Sequence, residues 1–248
     1  MILAAGLGTR LRPLTTDRPK ALVEVGGRTM LEITLARLRD FGVGDVIINA
    51  HHFADMLIEY LKANRNFGMR IEVSREDVLL DTGGGLKKAA YFFLEDSKSE
   101  GEPFILHNVD VISTIDLGKM LELHEQNKAL ATLAVQQRQT SRYLLFDEGL
   151  RLCGRRSKGG EGGQKDEMVR DSPATQELAF CGIHVISPRM FSLMREEGVF
   201  SIVTSYLQLA DQGEEILAFN ADEYYWRDLG RPEDLHQAAE YLAEQSHR

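Results

Sequence analysis

The sequence predicts an α/β fold, a three-layer arrangement in which helices cover both faces of a mostly parallel central sheet. Short apolar runs typical of buried strands alternate with segments of helical periodicity through the first half of the chain. This alternation is the pattern of parallel strands joined by helical crossovers. The chain has 248 residues, of which 43% are hydrophobic, so it can bury one large core. We therefore expect a single domain over residues 1–248.

The predicted elements of the first half follow one another closely. Residues 2–5 form an apolar run typical of a buried strand. In residues 30–41 apolar side chains recur at near-helical spacing, and Gly42 is placed to end that helix. The same reasoning predicts strands at 45–49, 69–73, 103–107 and 130–135, and helices at 53–64, 86–94 and 117–126.

The second half of the chain is less regular. The sequence predicts strands at 143–146 and 180–186, and helices at 188–194, 202–209 and 232–242. Residues 154–176 are polar and rich in glycine, which is typical of a flexible surface loop or lid. Ligands of parallel sheets bind beyond the carboxyl ends of the strands, so we expect the site after Ala5, His107 and Trp226.

Charge and composition exclude several classes of partner. The formal net charge of −9 disfavours nucleic acids and anionic membranes, which are themselves negative. No apolar run approaches the roughly 20 residues of a membrane-spanning helix. Cys153 and Cys181 lack the spacing of a metal site and are typical of free thiols in a reducing compartment. We therefore expect a cytoplasmic protein that binds neither nucleic acid nor membrane, as a monomer or small homo-oligomer.

One stretch is basic although the chain is acidic: GLGTRLRPLTTDRPKAL, directly behind the first predicted strand. Gly6 and Gly8 let the backbone bring N–H groups close to an anion, and Arg10 and Lys20 can neutralise phosphate oxygens. This composition suits a polyphosphate clamp. It is not a dinucleotide fingerprint, because Leu11 stands where a third glycine is needed, and it contains no Walker sequence.

The segment LAAGLGTRLRPLT, followed by PKALV, closely resembles the signature of the sugar-1-phosphate nucleotidylyltransferases, or NDP-sugar pyrophosphorylases. Four further motifs extend the resemblance over nearly the whole chain: LDTGGG at 80–85, NVD at 108–110, FCGIH at 180–184 and WRDLGRPEDL at 226–235. The resemblance implies a Rossmann-like domain that joins a sugar 1-phosphate to a nucleoside triphosphate with Mg²⁺ and releases pyrophosphate. The chain is most similar to the branches that act on N-acetylmuramate 1-phosphate with UTP and on mannose 1-phosphate with GTP.

The resemblance also implies roles for individual residues. Arg10 would hold the triphosphate and steady the leaving pyrophosphate, and Lys20 would contact phosphate at the reacting centre. Asp110 and Asp228 would bind Mg²⁺, which typically takes one or two carboxylates together with phosphate oxygens and water. The implied nucleotide-binding residues are Leu3, Ala4, Ala5, Gly6, Gly8, Thr9, Glu76, Thr82, Gly83 and Gly84.

The identity of the base stays open at this point. By its spacing, Glu76 is the residue that would meet the edge of the base, and the glycines of LDTGGG would let a loop pass close to the flat ring. A carboxylate only accepts hydrogen bonds. Guanine offers two adjacent N–H groups and uracil offers one, while LDTGGG itself resembles the uridylyltransferase branch. We therefore expect either GTP or UTP.

The sugar side departs from the family pattern. Asn108 would reach a sugar hydroxyl, and Gly182 resembles the family glycine that lets a sugar ring approach the backbone. Many members carry R-Y-G where this chain has Leu144 at the glycine position, and the later E-K-P triplet is absent from the sequence. The basic residues that could replace its lysine are Lys165, Arg155 and Arg156.

Three other functions compete with a sugar nucleotidylyltransferase. A glycosyltransferase would need a D-x-D metal motif, but the first position is Asn108. A phosphocholine-type cytidylyltransferase would use aromatic rings to cage a quaternary ammonium, and Tyr224, Tyr225 and Trp226 keep that alternative open. A non-catalytic nucleotide sensor would not need the charged residues implied for catalysis and metal binding. We also expect no C-terminal β-helix of the kind found in acetyltransferase-fused relatives.

Overall fold

The computed structural model describes residues 1–94, 101–159 and 163–246 of the chain. Internal contacts divide the chain into two compact units. The first unit comprises Met1–Asp81, His107–Thr114 and Tyr225–Arg248, and the second comprises Thr82–Leu106 and Ile115–Tyr224. The single domain predicted from the sequence is not tested by this division and stays a prediction.

The described residues contain strands and helices that alternate through the first half of the chain. The strands are β1 (Ile2–Leu3), β2 (Glu24–Val25), β3 (Arg28–Thr29), β4 (Asp45–Ala50), β5 (Arg70–Arg75), β6 (Phe104–Asn108), β7 (Val111–Ser113), β8 (Ala131–Gln136), β9 (Arg142–Phe146), β10 (Leu152–Lys158), β11 (Gln164–Met168), β12 (Gln176–Ile186), β13 (Ile216–Asn220) and β14 (Trp226–Asp228). The helices are α1 (Met30–Asp40), α2 (Ala54–Ala63), α3 (Asp81–Lys88), α4 (Ala90–Leu94), α5 (Leu117–Gln126), α6 (Met190–Leu193), α7 (Ile202–Asp211) and α8 (Pro232–Ser246).

The sheet of the first unit is parallel. Strand β1 lies between β4 and the end of β6, and β5 lies on the far side of β4. Leu3 is level with Asn49 on one side and with Asn108 on the other. Because parallel strands all end at the same edge, this register brings the residues after three strands together. The prediction of a Rossmann-like α/β fold with a parallel sheet is confirmed.

Two small antiparallel pairs in the first unit were not predicted. Strands β2 and β3 form a tight hairpin, and β14 pairs with β7 so that Asp228 lies opposite Val111. The backbone N–H of Leu229 donates to the carbonyl of Asp110 at 2.8 Å. The second pair therefore fixes two parts of the chain that are far apart in sequence, Asp110 and Asp228, beside each other.

Local sequence explains where the helices begin and end. Helix α1 begins after Thr29, whose hydroxyl accepts from the N–H of Glu32 at 3.1 Å, and Gly42 follows its end with a φ of 98°. Helix α8 begins at Pro232, which is well suited to the first helical position because its missing N–H has no role there. No helix among the described residues is long and apolar enough to cross a membrane.

The second unit is mainly antiparallel. Strand β12 pairs with β8 and with β9, strands β9, β10 and β11 follow in order, and β13 adds in parallel to β8. These elements come from the half of the sequence in which the alternation of strand and helix breaks down. Cys153 in β10 and Cys181 in β12 are buried and neither forms a disulfide, as expected.

The predicted loop at 154–176 is wrong for most of its described residues, which form β10, β11 and the start of β12. Strands β10 and β11 pair residue by residue, and Arg155 contacts Glu167 at 2.7 Å while Arg156 contacts Asp166 at 2.7 Å. Opposite charges that face each other across neighbouring strands stabilise such a pair, although the sequence pattern is polar throughout. Residues 160–162 lie outside the described residues.

The helix predicted at 86–94 begins earlier and is divided in two. Helix α3 already includes Thr82–Gly85, where the sequence predicts a loop. The N–H groups of Gly83 and Gly84 donate to the carbonyl of Phe200 at 2.9 and 3.2 Å, and the Thr82 hydroxyl accepts from the N–H of Ile202 at 3.0 Å. These tertiary contacts stabilise a helical turn that glycine disfavours locally.

We expect Gly83→Ala to destabilise the protein. A Cβ at this position would lie 2.4 Å from the Phe200 ring and 3.0 Å from the backbone nitrogen of Ile202, and overpacking of this kind costs about 1–3 kcal/mol. Thermal unfolding measures the effect as a loss of several degrees in Tm. Gly44→Ala is the matched control, because a Cβ there meets nothing within 4 Å. Equal melting temperatures for the two variants would contradict the assignment of Gly83 to close packing.

Candidate active site

The basic loop behind β1 is folded back on itself. Gly8 has a φ of 62° and precedes a single 3-10 turn at Thr9–Leu11. The Thr15 hydroxyl donates to the Gly8 carbonyl at 2.8 Å. A Cβ on Gly8 would lie 3.0 Å from the Thr15 methyl group and 3.2 Å from the Cβ of Lys20. Glycine is therefore required here both for its φ and for space, and the fold of the loop places Lys20 next to Gly8.

Lys20 and Asp110 form an ion pair beneath this loop. Lys20 is the first residue of a second 3-10 turn, Lys20–Leu22, and only 8% of the residue is exposed. Its ammonium group donates to Oδ2 of Asp110, which follows the end of β6. Burial makes this pairing necessary, because an unpaired ammonium in such a place would be strongly disfavoured.

Asp228 and Arg10 complete a group of four charged residues, which we call the charge cluster: Arg10, Lys20, Asp110 and Asp228. The pKa of Asp228 is raised above its ordinary value of 3.8, first by burial and then by the negative charge of Asp110. Lys20 and Arg10 act in the opposite direction. A methyl group on Gly230 would lie 2.5 Å from Oδ1 of Asp228 and 2.7 Å from Nη2 of Arg10. All four residues predicted to serve catalysis or metal binding therefore lie together in the first unit.

A second network connects the ends of three parallel strands. The N–H of Ala4 donates to Oδ1 of Asn49 at 2.7 Å, and Nδ2 of Asn49 donates to Oε1 of Glu76 at 2.7 Å. The other Glu76 oxygen accepts from the N–H of Leu80 at 3.0 Å, and His51 Nδ1 lies 2.8 Å from the Glu76 carbonyl. Asn49 and Glu76 are 2% and 4% exposed. This network holds the backbone after β1 and after β5 in a fixed relation.

The sequence analysis missed Asn49 and His51. Both follow the apolar run of β4, and β4 ends at the same edge of the sheet as β1. A polar residue at the carboxyl end of a buried strand is the signal that marks this position in the sequence. Glu76 is buried, and both of its carboxylate oxygens accept hydrogen bonds, so it is not a solvated surface acid. Its contact with a base stays a prediction.

The model of the family described as nucleotidyl transferase matches residues 1–245. The chain belongs to the nucleotidyl transferase family.

Several relatives of this nucleotidyl transferase match over nearly its whole length. N-acetylmuramate alpha-1-phosphate uridylyltransferase of Caulobacter vibrioides is 34% identical over 98% of this chain and 96% of its own. Mannose-1-phosphate guanyltransferase of Yarrowia lipolytica is 30% identical over 95% of this chain, which spans 61% of that protein's length. The crystal structure of HddC from Yersinia pseudotuberculosis matches over 97% of both chains, with 25% identity and a TM-score of 0.75.

The charge cluster fits a divalent cation. Asp110 and Asp228 present two carboxylates, and the negative charge of Asp110 contributes to the raised pKa of Asp228. The described residues contain no group of three or more histidine, cysteine, aspartate or glutamate side chains placed to hold a metal. Mg²⁺ commonly takes only one or two carboxylates and fills its other positions with phosphate oxygens and water. The donor set of the transferase therefore suits a metal that arrives with a phosphate substrate.

Other predicted binding residues belong to the second unit. Thr82, Gly83 and Gly84 lie in α3 and bond to Phe200 and Ile202, so a loop across a base is not their conformation. Gly182 has a φ of 72° at an irregularity in β12, a conformation that favours glycine irrespective of any sugar. Nucleotide or sugar contacts of these residues stay predictions.

The aromatic residues proposed for an ammonium cage have other contacts. The Tyr225 ring is stacked on Tyr241 with centroids 3.6 Å apart, and the Tyr224 ring is stacked on Phe219 at 6.2 Å. Stacking occupies a face of each ring that a cage would offer to the cation. The stacked rings of Tyr224 and Tyr225 therefore do not favour a phosphocholine-type enzyme.

The candidates for the missing family lysine lie in the β10–β11 pair. Arg155 and Arg156 are bonded to the carboxylates of Glu167 and Asp166, and Arg156 also reaches Glu177 at 3.2 Å. Lys165 is exposed on β11. The two arginines are thus already neutralised within their own sheet, which leaves Lys165 as the more available cation of the three.

We expect Asp228→Asn to raise the Tm of the metal-free protein at pH 7. A carboxyl group whose folded pKa lies above its unfolded value destabilises the folded state once it ionises. This loss of folding stability is absent below the ordinary pKa of 3.8. It grows as the pH rises from that value to the folded pKa of Asp228, and it is complete above the folded pKa. Melting curves in EDTA should therefore show a gap between variant and wild type that closes on acidification. Asp171→Asn, at an exposed aspartate, is the control. A variant that melts below wild type at pH 7 would contradict the electrostatic assignment.

Proposed function

We propose that this nucleotidyl transferase joins a sugar 1-phosphate to UTP or GTP and releases pyrophosphate. The observation that carries the proposal is the charge cluster, in which two cations and two carboxylates meet behind the glycine-containing loop of the first strand. Family membership supports a nucleotidyl group as the group transferred. The names of the relatives support sugar phosphates as acceptors.

The reaction requires positioning and charge neutralisation more than covalent help. An oxygen of the sugar phosphate attacks the α-phosphorus of the nucleotide, the new P–O bond forms, and the bond to the β-phosphate bridging oxygen breaks. The attacking oxygen is already anionic, so no general base is needed. Lys20 donates to phosphate oxygens at the reacting centre, and Arg10 holds the oxygens of the departing pyrophosphate.

Asp110 and Asp228 would hold Mg²⁺ when the nucleotide is bound. The metal would supply further neutralisation of the triphosphate charge. In its absence, the Lys20 ammonium group balances Asp110. A lysine ammonium group is a point charge on a flexible stem, so it can pair with a carboxylate before the substrate binds and with a phosphate afterwards.

Glu76 is our candidate for recognition of the base. Two of its lone-pair positions are used by Asn49 and Leu80, and an ionised carboxylate has about four. The remaining positions could accept the single N–H of uracil or the two of guanine. UTP with N-acetylmuramate 1-phosphate is the first pair to test, because that relative matches over its full length. GTP with mannose 1-phosphate is the second.

We also propose a cytoplasmic location, which the two buried thiols support, because neither forms a disulfide and so neither needs an oxidising compartment. The oligomeric state stays a prediction of monomer or small homo-oligomer.

A pyrophosphate-release screen tests the function directly. Each of the four nucleoside triphosphates is incubated with each member of a panel of sugar 1-phosphates, with phosphocholine as an additional acceptor. We expect release with UTP or GTP and a sugar 1-phosphate. Release only with CTP and phosphocholine would favour the cytidylyltransferase, and nucleotide binding without release for any pair would favour the sensor.

We expect Lys20→Ala to lower kcat on the order of 10²-fold or more, as the loss of one donor to a developing charge often does. Steady-state kinetics with the active pair measures the effect. Lys62→Ala, at an exposed lysine near the end of α2, should keep the wild-type rate. A decrease in kcat of less than about threefold in Lys20→Ala would contradict the role of this lysine at the reacting centre.

We expect Asp110→Asn to abolish Mg²⁺-dependent pyrophosphate release while the circular dichroism spectrum stays native. The amide keeps the shape of the side chain but is a far weaker ligand for a hard cation. Full activity of this variant at low Mg²⁺ would reject its role as a ligand.

A further inference from the structure

Gly230 has a geometry that its place in the chain does not explain. It lies between Asp228, at the end of β14, and Pro232, at the start of α8, where a glycine is readily attributed to the turn. Yet its φ is not among the positive values that favour glycine, so other residues could adopt this backbone conformation. It is also buried. A reason other than backbone freedom must account for the missing side chain.

The reason is the space that a Cβ would occupy. That atom would lie 2.5 Å from Oδ1 of Asp228, 2.7 Å from Nη2 of Arg10 and 2.8 Å from Cζ of Arg10. All three distances are far below van der Waals contact. The Arg10 guanidinium group therefore lies almost directly against the backbone of Gly230, in the place where any other residue would carry its side chain.

Gly230 contacts Asp228 in a second way. Its backbone N–H donates a hydrogen bond to the Asp228 carboxylate, which favours the ionised form of that group. The same residue thus holds one functional carboxylate by its N–H and leaves room for one functional cation beside its Cα. Arg10 itself comes from an exposed turn of the loop behind β1. Its long side chain needs a fixed support if its orientation is to be constant.

We propose that Gly230 is a positioning residue for nucleotidyl transfer, whose missing side chain leaves free the place that the Arg10 guanidinium group occupies near the Asp228 carboxylate. The inference rests on the proposed function for its catalytic consequence. The atoms that a methyl group would meet are the far ends of two flexible side chains, whereas at Gly83 they include backbone. The folded chain therefore accommodates alanine at position 230 by moving Arg10 and Asp228 rather than by unfolding.

A double-mutant cycle tests this inference. The four proteins are wild type, Gly230→Ala, Arg10→Ala and the double variant, with Gly44→Ala as a control in open space. We expect the Tm of Gly230→Ala to lie within about 2 °C of wild type while kcat/KM falls on the order of 10²-fold. Arg10→Ala should cost a similar factor in wild type but less than about threefold in the Gly230→Ala background, because the guanidinium group is already displaced there.

Three results would overturn the inference. One is an Arg10→Ala effect of equal size in both backgrounds. Another is a Gly230→Ala variant that keeps kcat/KM within about twofold of wild type. The third is a Gly230→Ala variant that does not fold, since the inference requires the fold to accept the methyl group.

Binding of inorganic pyrophosphate separates this inference from the proposed function. Calorimetric titration with pyrophosphate and Mg²⁺ needs no knowledge of the base or the sugar. We expect binding to weaken at least about tenfold in both Gly230→Ala and Arg10→Ala and to stay unchanged in Gly44→Ala. If no substrate pair is active but this pattern holds, the proposed function fails and the positioning role stands. If wild type is active and Gly230→Ala binds pyrophosphate normally, the positioning role fails alone.

Discussion

The proximity of two carboxylates is the constraint on which the candidate site depends. Burial raises the pKa of Asp228, and the negative charge of Asp110 raises it further. Lys20 and Arg10 offset part of this rise in the absence of substrate. A site of this kind lowers stability locally, and the fold maintains it because the surrounding backbone is fixed by the β7–β14 pair and by the parallel sheet.

The parallel register of the first unit gives the site its rigidity. Leu3 lies level with Asn49 and Asn108, and the polar side chains that follow these strands share one edge. The Asn49–Glu76 network fixes the backbone at that edge, because the side chains of Asn49 and Glu76 bond to each other and to the N–H groups of Ala4 and Leu80. Asp110, which we propose as a metal ligand, thus follows a strand whose position the sheet fixes.

Glycines in this protein serve different purposes that the sequence does not distinguish. Gly8 is required for its φ and for contact with Thr15 and Lys20, while Gly83 is required by the Phe200 ring. Gly230 is needed for neither purpose and instead leaves space for Arg10. A glycine in a motif therefore indicates that something approaches the backbone, but it does not indicate whether the approach comes from the core, from a side chain of the site or from a ligand.

The sequence by itself determined the α/β class and most strands and helices of the first half, because local periodicity depends on neighbouring residues. Short motifs likewise singled out the members of the charge cluster: Arg10, Lys20, Asp110 and Asp228. Only the tertiary structure decided that Asn49 connects Ala4 to Glu76, that Thr82–Gly85 is helical, and that polar residues after 154 form paired strands. Each of these depends on a partner far away in the chain, and its energy comes from contacts that no local pattern records.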